Sequence, residues 1–424
     1  MDIEQLYFFF RQSKGISTDT RNIKKGSIFF ALKGDHFNGN LFAEDALQKG
    51  AFKAVVDEPI NIADQSNIIQ VDKVLKTLQD LAQFHRRKLK TPIIAIAGSN
   101  GKTTTKKLSQ AFFETTFKTF ATPGNLNNHI GVPLSLLQMD DATEIALLEL
   151  GANHQNETTA LCEICEPDFG YVTNFGKDHL EGFGGVEGVI KANTELYDYL
   201  KKVEGKIFVD TKDKIQKQQA KGGDLILFNQ NEDLIQLESA DPYLKLRIGS
   251  ELVTSQLVGD YNFQNIAAAF SMAYYFGISL DLIAEALKDF TPEENRSQFV
   301  QKENNQIVLD AYNANPSSME LAIQNFSRME AGKKSVILGD MLELGESSFN
   351  EHLATIHLLK DHHFDQAFLV GHAFYEHQFK SDKFHFFKNF EELEKNLLEQ
   401  PIKNNLILIK GSRGIALERC LDLL

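Results

Sequence analysis

One stretch decides the fold of this 424-residue chain, Ile93-Ile94-Ala95-Ile96-Ala97-Gly98-Ser99-Asn100-Gly101-Lys102-Thr103-Thr104-Thr105. Its apolar residues predict a buried strand, its glycines a tight loop, and the residues from Lys102 onward the start of a helix. In this order the loop N–H groups and the helix N-terminus form a cradle for phosphate. Lys102 would reach the β- and γ-phosphates of a nucleotide, and the Thr103 hydroxyl would bind Mg²⁺. The common phosphate-loop motif has glycine where this chain has Ile96, so the loop is a shortened variant.

Apolar strands alternate with helical stretches over most of the chain. Beyond the loop, strands are predicted at 145–150, 169–173, 207–210, 225–228, 307–310, 335–338, 366–370 and 406–410. Such alternation is typical of a mostly parallel α/β sheet. The first 90 residues contain shorter β-rich runs at 27–32, 53–56 and 68–71.

Two breaks divide the chain. A helix with apolar residues at the 3.6-residue period begins at Val74 and ends in basic residues at 86–88, and Pro92 follows it. A second break lies at 289–292. We therefore predict an α/β protein of three domains: a small α/β N-terminal domain (1–90), a central P-loop ATPase-like domain with a mostly parallel sheet (91–290), and a C-terminal Rossmann-like domain (291–424).

Composition excludes several classes of function. The formal net charge is -14, which argues against broad binding to nucleic acid. No apolar run reaches the ~18 residues that span a bilayer, and the cluster at 6–10 follows acidic residues rather than a basic segment. Cys162 and Cys165 lack a second pair that would complete a zinc site, so we expect ordinary reduced thiols. These features predict a cytoplasmic protein without membrane insertion.

Glu149 is a candidate metal ligand on chemical grounds. It ends a predicted central strand, and open α/β sheets bind their ligands at that end of the strands. Mg²⁺ takes one or two carboxylates together with phosphate and water oxygens. A solvated acid at the end of a strand is the alternative.

Several segments resemble the Mur ligase family. The phosphate loop G-S-N-G-K-T-T is similar to the ATP loop of Mur ligases and folylpolyglutamate synthases. The segment G-N-L-N-N-H-I-G-V-P at 124–133 resembles the segment that follows this loop in Mur ligases. Six further segments resemble the family member that adds D-alanyl-D-alanine; they lie at 148–154, 310–319, 338–345 and 410–414, and near the N-terminus at 17–21 and 30–34. The matches run in order along nearly the whole chain.

The resemblance implies roles for individual residues. It implies that Lys102, Glu149 and His179 are catalytic and that Thr103, Glu149, His179 and Asn193 bind metal. It implies ATP contacts by Gly98, Ser99, Asn100, Gly101, Lys102, Thr103, Thr104, Asn265, Arg296 and Asp310. It implies substrate contacts by Ser17, Asp19, Thr20, Arg21, Lys33, Asn125, Asn127, Asn128 and Asn315. Two departures stand out: Asn295 replaces the usual glycine before the linker arginine, and Asn193 replaces a lysine that the family modifies with CO₂ to bridge a second Mg²⁺.

The implied reaction is ATP- and Mg²⁺-dependent amide ligation. The resemblance implies that a UDP-muramoyl tripeptide is activated as an acyl phosphate, and that the amine of D-alanyl-D-alanine displaces the phosphate. It implies a monomer that binds neither nucleic acid nor membrane. Another Mur ligase, a folylpolyglutamate synthase, a P-loop regulatory NTPase and an inactive scaffold remain as alternatives.

Overall fold

The N-terminal part of the chain builds a small α/β unit in the computed structural model, which describes residues 1–62, 65–229 and 234–424. Its helices are α1 (Ile3–Gln12), α2 (Ala43–Gln48) and α3 (Val74–Lys88). Its strands are β1 (Ile16–Ser17), β2 (Ile28–Phe30), β3 (Lys33–Gly34), β4 (Phe37–Asn38), β5 (Lys53–Val56) and β6 (Ile68–Gln70). A parallel sheet has the order β1-β2-β5-β6, and β3 pairs with β4 as a separate antiparallel hairpin. The β-rich runs predicted here are confirmed.

A six-stranded parallel sheet lies at the centre of the molecule. Its strands are β7 (Ile93–Ala97), β8 (Thr119–Ala121), β9 (Ile145–Glu149), β10 (Phe169–Val172), β11 (Lys206–Asp210) and β12 (Asp224–Phe228). Its order is β12-β11-β10-β7-β9-β8, with β7 between β9 and β10. The connecting helices are α4 (Lys102–Phe113), α5 (Gly131–Leu136), α6 (Glu157–Cys165), α7 (Leu180–Phe183), α8 (Val186–Lys202) and α9 (Lys214–Gln219). The carboxyl ends of β7, β9 and β10 therefore meet at one edge, where ligands bind in open sheets.

An antiparallel sheet and two helices complete the central part. The strands are β13 (Ile235–Ala240), β14 (Tyr243–Ile248) and β15 (Glu251–Val258), and the helices are α10 (Asn262–Tyr275) and α11 (Leu280–Asp289). Helix α10 is almost entirely apolar on the side that packs against α4 and the central sheet. This packing brings the start of α10 next to the start of α4.

The last part of the chain forms a second six-stranded sheet. Its strands are β16 (Gln298–Lys302), β17 (Asn305–Asp310), β18 (Lys334–Gly339), β19 (Gln366–Val370), β20 (Phe384–Phe387) and β21 (Leu406–Lys410). The order is β16-β17-β21-β18-β19-β20, and only β16 runs antiparallel to its neighbour. The helices are α12 (Pro316–Arg328), α13 (Ser348–Asp361), α14 (His372–Tyr375) and α15 (Phe390–Glu399). The predicted α/β fold with parallel central and C-terminal sheets is confirmed.

The hydrophobic core is continuous between the N-terminal unit and the central sheet. Buried residues of α1 and α3, including Leu6, Leu78 and Leu81, belong to the same cluster as Ile93 and Ala146 of the central strands. Helix α3 packs against α5 and α6 of the central part, which fixes the N-terminal unit beside the central sheet.

Arg86 strengthens this junction. Its side chain is only 9% exposed and its guanidinium lies 2.8 Å from the Asp168 carboxylate. It also donates to the backbone oxygens of Cys165 and Thr91, each at 3.0 Å. The end of α3 is therefore tied to the loop before β7 and to the loop between α6 and β10.

Replacing Arg86 by methionine is expected to lower the free energy of unfolding by about 3 kcal/mol, because buried carbonyl groups lose their donors. Urea unfolding of the purified protein measures this loss. The neighbouring Arg87 is the control, since its side chain is 59% exposed and pairs with Glu166 at the surface. Arg87→Met should lower the free energy of unfolding by no more than about 1 kcal/mol. Equal losses in the two variants would contradict this account of the junction.

Two sequence expectations concern features outside the site. Cys162 and Cys165 are buried free thiols, and burial raises the pKa of the Cys165 thiol to about 12. In the parts of the chain that the structure covers, we find no helix with the length and apolar character needed to traverse a bilayer.

Candidate active site

The phosphate loop requires glycine at two positions. Gly98 has φ of 119° and Gly101 has φ of 83°, a region that side chains with a Cβ rarely adopt. A Cβ at Gly98 would lie 2.7 Å from the amide nitrogen of Thr173, and one at Gly101 would collide with the side chain of Asn265. The loop therefore passes close to its neighbours and wraps the N-terminus of α4, as a phosphate cradle requires.

Residues after β10 hold the loop in this shape. The side chain of Asn174 accepts from the Asn100 amide at 3.1 Å and donates to its carbonyl at 2.9 Å. The Ser99 hydroxyl contacts the Asp178 carboxylate and accepts from the Gly176 amide at 2.9 Å. The residues that follow β10 therefore hold the phosphate loop at Ser99 and at Asn100.

Lys102 is folded back over the loop. Its ammonium donates to the carbonyl of Gly98 and, at 3.2 Å, to that of Ser99. A lysine held by two loop carbonyls lies where it can neutralise anionic oxygens entering the cradle.

Glu149 is the buried carboxylate of the site. It ends β9 and is 3% exposed. Its Oε1 accepts from the Thr103 hydroxyl at 3.1 Å and from the Asn127 amide at 2.9 Å. The Lys106 ammonium lies 3.3 Å from Oε2, yet Oε2 accepts no hydrogen bond from the described residues. Burial lowers the pKa of Lys106, and the Glu149 carboxylate opposes this shift.

Mg²⁺ fits the donors that meet here. One carboxylate oxygen without a hydrogen bond and one hydroxyl are hard oxygen ligands, which suit Mg²⁺ completed by phosphate and water. Within residues 1–62, 65–229 and 234–424, no cluster of three or more His, Cys, Asp or Glu side chains is placed to hold a metal. Thr103 and Glu149 are therefore a partial ligand set that a nucleotide phosphate would complete.

His179 faces the C-terminal part of the chain. It precedes α7 with a left-handed φ of 43°, and its Nδ1 lies 2.7 Å from Oε2 of Glu343. The imidazole thus spans from the central unit to the loop after β18. Glu343 was not expected in the site from the sequence.

Asn265 lies between the phosphate loop and α10. Its amide nitrogen donates to Asn262 at 2.8 Å, and its Oδ1 accepts from the Thr105 hydroxyl at 3.2 Å. These bonds fix the side chain at the edge of the loop.

The ends of β17 and β21 form the opposite wall. Lys410 donates to Asp310 at 2.6 Å, and the other oxygen of Asp310 accepts from the Ser297 amide at 3.2 Å. Asn315, which caps α12, donates to the side chain of Asn100 at 2.8 Å. The C-terminal unit thereby contacts the phosphate loop directly.

A cavity of about 270 Å³ lies between these walls. The predicted residues that line it are Ser99, Asn100, Gly101, Lys102, Thr103, Thr104, Asn127, Glu149, His179, Asn265, Arg296, Asp310 and Asn315. Gly98 does not line the cavity, and its carbonyl accepts a hydrogen bond from Lys102. Residues more than 300 positions apart in sequence are thus brought to one cleft.

The N-terminal residues predicted to bind substrate lie apart from this cavity. Arg21 and Asp19 form an ion pair at 2.8 Å, and the Arg21 guanidinium lowers the pKa of Asp19 to about 2. Ser17 donates to the Asp19 carbonyl at 3.1 Å, and Thr20 begins the turn beside it. Lys33 lies 2.8 Å from both Asp57 and Glu58. All five predicted residues belong to the N-terminal unit, outside the cleft.

Three further predicted residues do not line the cleft. Asn125 borders a neighbouring cavity together with Tyr312 and Arg413. Asn128 accepts from the amides of residues 130 and 131 at the start of α5. Asn193 is buried on α8 and donates to the carbonyl of Val189 in its own helix at 3.1 Å. Asn193 does not line the cleft that Thr103, Glu149 and His179 line.

Several residues of the site were not predicted from the sequence. Lys106 and Tyr312 carry no pattern that distinguishes them from an ordinary helix lysine and a loop tyrosine. Asn174 and Asp178 lie between β10 and His179. Polar residues directly after a strand are a signal of a binding site, so these two could have been predicted from the sequence. Tyr261 also lines the cleft, where its hydroxyl lies 2.9 Å from Ser297 and burial raises its pKa.

Sequence models of three domain families match the chain in order. Residues 12–86 match the catalytic domain of the Mur ligase family, residues 96–273 the Mur ligase middle domain, and residues 295–413 the Mur ligase glutamate ligase domain.

Relatives match over nearly the full length. The UDP-N-acetylmuramoyl-tripeptide--D-alanyl-D-alanine ligase of Bacillus subtilis is 33% identical, with 95% of this chain and 91% of the relative covered. A crystal structure of MurF from Acinetobacter baumannii superposes with a TM-score of 0.87 at 31% identity, covering 99% of this chain and 98% of that one. MurF ligase from Thermotoga maritima in complex with ADP superposes with a TM-score of 0.85 at 26% identity, covering 98% and 97%.

Proposed function

The chain belongs to the Mur ligase family, and from this premise we propose that it joins D-alanyl-D-alanine to UDP-N-acetylmuramoyl-tripeptide with ATP in peptidoglycan synthesis. The observation that carries the proposal is the full-length similarity, 33% identity over 95% of the chain, to a ligase with this activity. The cleft supports it, because a phosphate loop, a buried carboxylate and groups from the C-terminal sheet face one cavity.

The residues of the cleft suit carboxylate activation. ATP, when bound, supplies the phosphoryl group that converts the tripeptide carboxylate into an acyl phosphate, from which the dipeptide amine displaces phosphate. We assign Lys102 and the loop amides to neutralising the negative charge of the transferring group. We assign Asn265 to the adenine and Arg296 to the phosphates. Asn315 and the pair Asp310–Lys410 would close the cleft and exclude water, which would otherwise hydrolyse the acyl phosphate.

Mg²⁺ would be held by Thr103 and Glu149, with His179 beside them, and supplies positive charge to the phosphates. Oε2 of Glu149, which accepts no hydrogen bond from the described residues, supports this assignment. The N-terminal residues Ser17, Asp19, Thr20, Arg21 and Lys33 are assigned to the UDP-sugar, and Asn125, Asn127 and Asn128 to the peptide.

Asn193 is proposed to serve a second metal without a carbamate, directly or through water. Asparagine cannot form a carbamate, and Lys191, two residues away, points about 200° around the helix. We therefore expect no activation when bicarbonate is added to assays in CO₂-depleted buffer. Marked activation, or a carbamate on Lys191 in a crystal structure, would contradict this assignment.

We further propose three domains with limits 1–90, 91–290 and 291–424, in a cytoplasmic monomer. The N-terminal domain would bind the UDP-sugar, the central domain ATP, and the C-terminal domain the dipeptide. The cytoplasmic location is supported by the substrates, since nucleotide-linked sugars and ATP are made there. A monomer is supported because a single chain supplies all the residues that we assign to binding and catalysis.

Mass spectrometry of the product tests the proposal. The purified protein is incubated with ATP, Mg²⁺ and UDP-muramoyl tripeptide, and offered D-alanyl-D-alanine, single amino acids or, with a pteroate acceptor, glutamate. The expected product is the tripeptide acceptor extended by one dipeptide. Addition of a single amino acid would favour another Mur ligase, and glutamate addition to pteroate would favour a folylpolyglutamate synthase.

A further inference from the structure

Tyr312 lies between the candidate active-site cleft and two neighbouring cavities. It follows β17, and it lines the cleft as well as the two neighbouring cavities. Two guanidinium groups approach its ring. The Cζ of Arg296 lies 3.4 Å from the ring centroid and that of Arg413 lies 5.3 Å from it. Arg413 also donates to the Tyr312 hydroxyl at 3.4 Å.

Arg296 stacks on this ring, and among the described residues no carboxylate is hydrogen-bonded to its side chain. The carboxylate nearest to it is that of Glu294, 3.7 Å from Nε, and the other oxygen of Glu294 is bound by Lys107 at 2.9 Å. The Nε atom of Arg296 is buried and has no hydrogen-bond partner among the described residues. Stacking fixes the plane of a guanidinium but leaves its N–H edges unused.

Unused donors are what an anion site requires. An arginine paired with a carboxylate must break that pair before it binds phosphate, whereas a stacked arginine keeps its charge and its donors. Arg296 lines the same cavity as Lys102 and Thr103, so its free edges border the phosphate cradle.

We propose that Tyr312 is a positioning residue, which holds the guanidinium of Arg296 in the plane needed to bind the phosphates of ATP. The proposal rests on the proposed function only in taking the nucleotide to be ATP. The ring acts through Arg296 and makes no essential contact with the nucleotide. Its hydroxyl, which accepts a hydrogen bond from Arg413, is not needed to position Arg296.

Calorimetric titration of the full-length protein with Mg²⁺ and adenylyl imidodiphosphate tests the proposal. Tyr312→Leu is expected to raise Kd roughly tenfold, the scale of a cation–π contact shielded from water. Tyr312→Phe, which keeps the ring, should bind within about twofold of the native protein. Tyr375→Leu is the matched control, because Lys388 lies 5.0 Å over that ring away from the cavity.

The decisive comparison uses a second background. In the Arg296→Met protein, adding Tyr312→Leu should change Kd no further, because the residue through which the ring acts is gone. An equal further loss would overturn the proposal and indicate a direct contact between ring and nucleotide. Loss in Tyr312→Phe equal to that in Tyr312→Leu, or native binding by Tyr312→Leu, would overturn it as well.

A conservative variant keeps the test independent of folding. Arg296→Lys retains the charge but not the flat group that stacks, so it should weaken binding about as much as Tyr312→Leu. Native binding by Arg296→Lys would overturn the proposal even if Tyr312→Leu failed to fold. Since the titration contains neither acceptor nor dipeptide, its outcome is separate from that of the ligase assay.

Discussion

Lys102→Ala is expected to lower the rate of ADP formation by a factor of about 100 to 1,000, the cost of removing one preorganised charged donor from a closed site. The lysine ammonium lies over the phosphate loop and, among the described residues, donates hydrogen bonds to the loop carbonyls of Gly98 and Ser99. Its loss removes charge complementary to the transferring phosphoryl group but no contact of the hydrophobic core. The fold should therefore persist.

Steady-state ADP release at saturating substrates, together with thermal unfolding, measures this effect. Lys118→Ala is the matched control, since this lysine is exposed on the same central unit and forms no ion pair among the residues that the structure describes. The control should keep the native rate. Turnover by Lys102→Ala within a few-fold of the native protein would mean that the phosphate site lies elsewhere.

Glu149→Gln is expected to reduce turnover by a comparable factor and to raise the Mg²⁺ concentration needed for half-maximal rate. The substitution preserves the shape of the side chain, and its Oε1 can still accept from Thr103 and Asn127. It removes the negative charge that attracts a divalent cation in a buried site. Lys106 then lacks an anionic partner, but burial already lowers its pKa, so it can lose its proton and the fold can survive.

A Mg²⁺ series of initial rates separates the two effects of Glu149→Gln. Glu163→Gln removes the same charge from the exposed face of α6 and should leave both the rate and the Mg²⁺ midpoint unchanged. An unchanged Mg²⁺ midpoint in Glu149→Gln would contradict the assignment of this residue as a metal ligand.

The parallel sheets could be predicted from the sequence because their strands are continuous apolar runs. Strands such as β7 and β21 are buried along their whole length, as strands covered on both faces must be. The sheet of β13, β14 and β15 was missed for the opposite reason. In β14 the buried Leu244, Leu246 and Ile248 alternate with less buried residues, a period-2 signal of a half-buried strand that a search for continuous apolar runs overlooks.

The site could be predicted where it depends on strand order. Gly98 and Glu149 follow adjacent strands, so their meeting at one sheet edge follows from the topology. The environments of Lys106 and Tyr312 could not be predicted. They depend on contacts with residues that are distant in sequence, and a lysine in a helix is usually solvated rather than paired with a buried acid.

ADP release in an omission series tests the central claim most directly. The purified protein is given ATP and Mg²⁺ with UDP-muramoyl tripeptide and D-alanyl-D-alanine together, with each alone, and with neither. We expect sustained ADP formation only when both are present, because acyl transfer to the dipeptide completes the cycle. ADP formation at the full rate with neither substrate would contradict the central claim and mark the protein as an NTPase rather than a ligase.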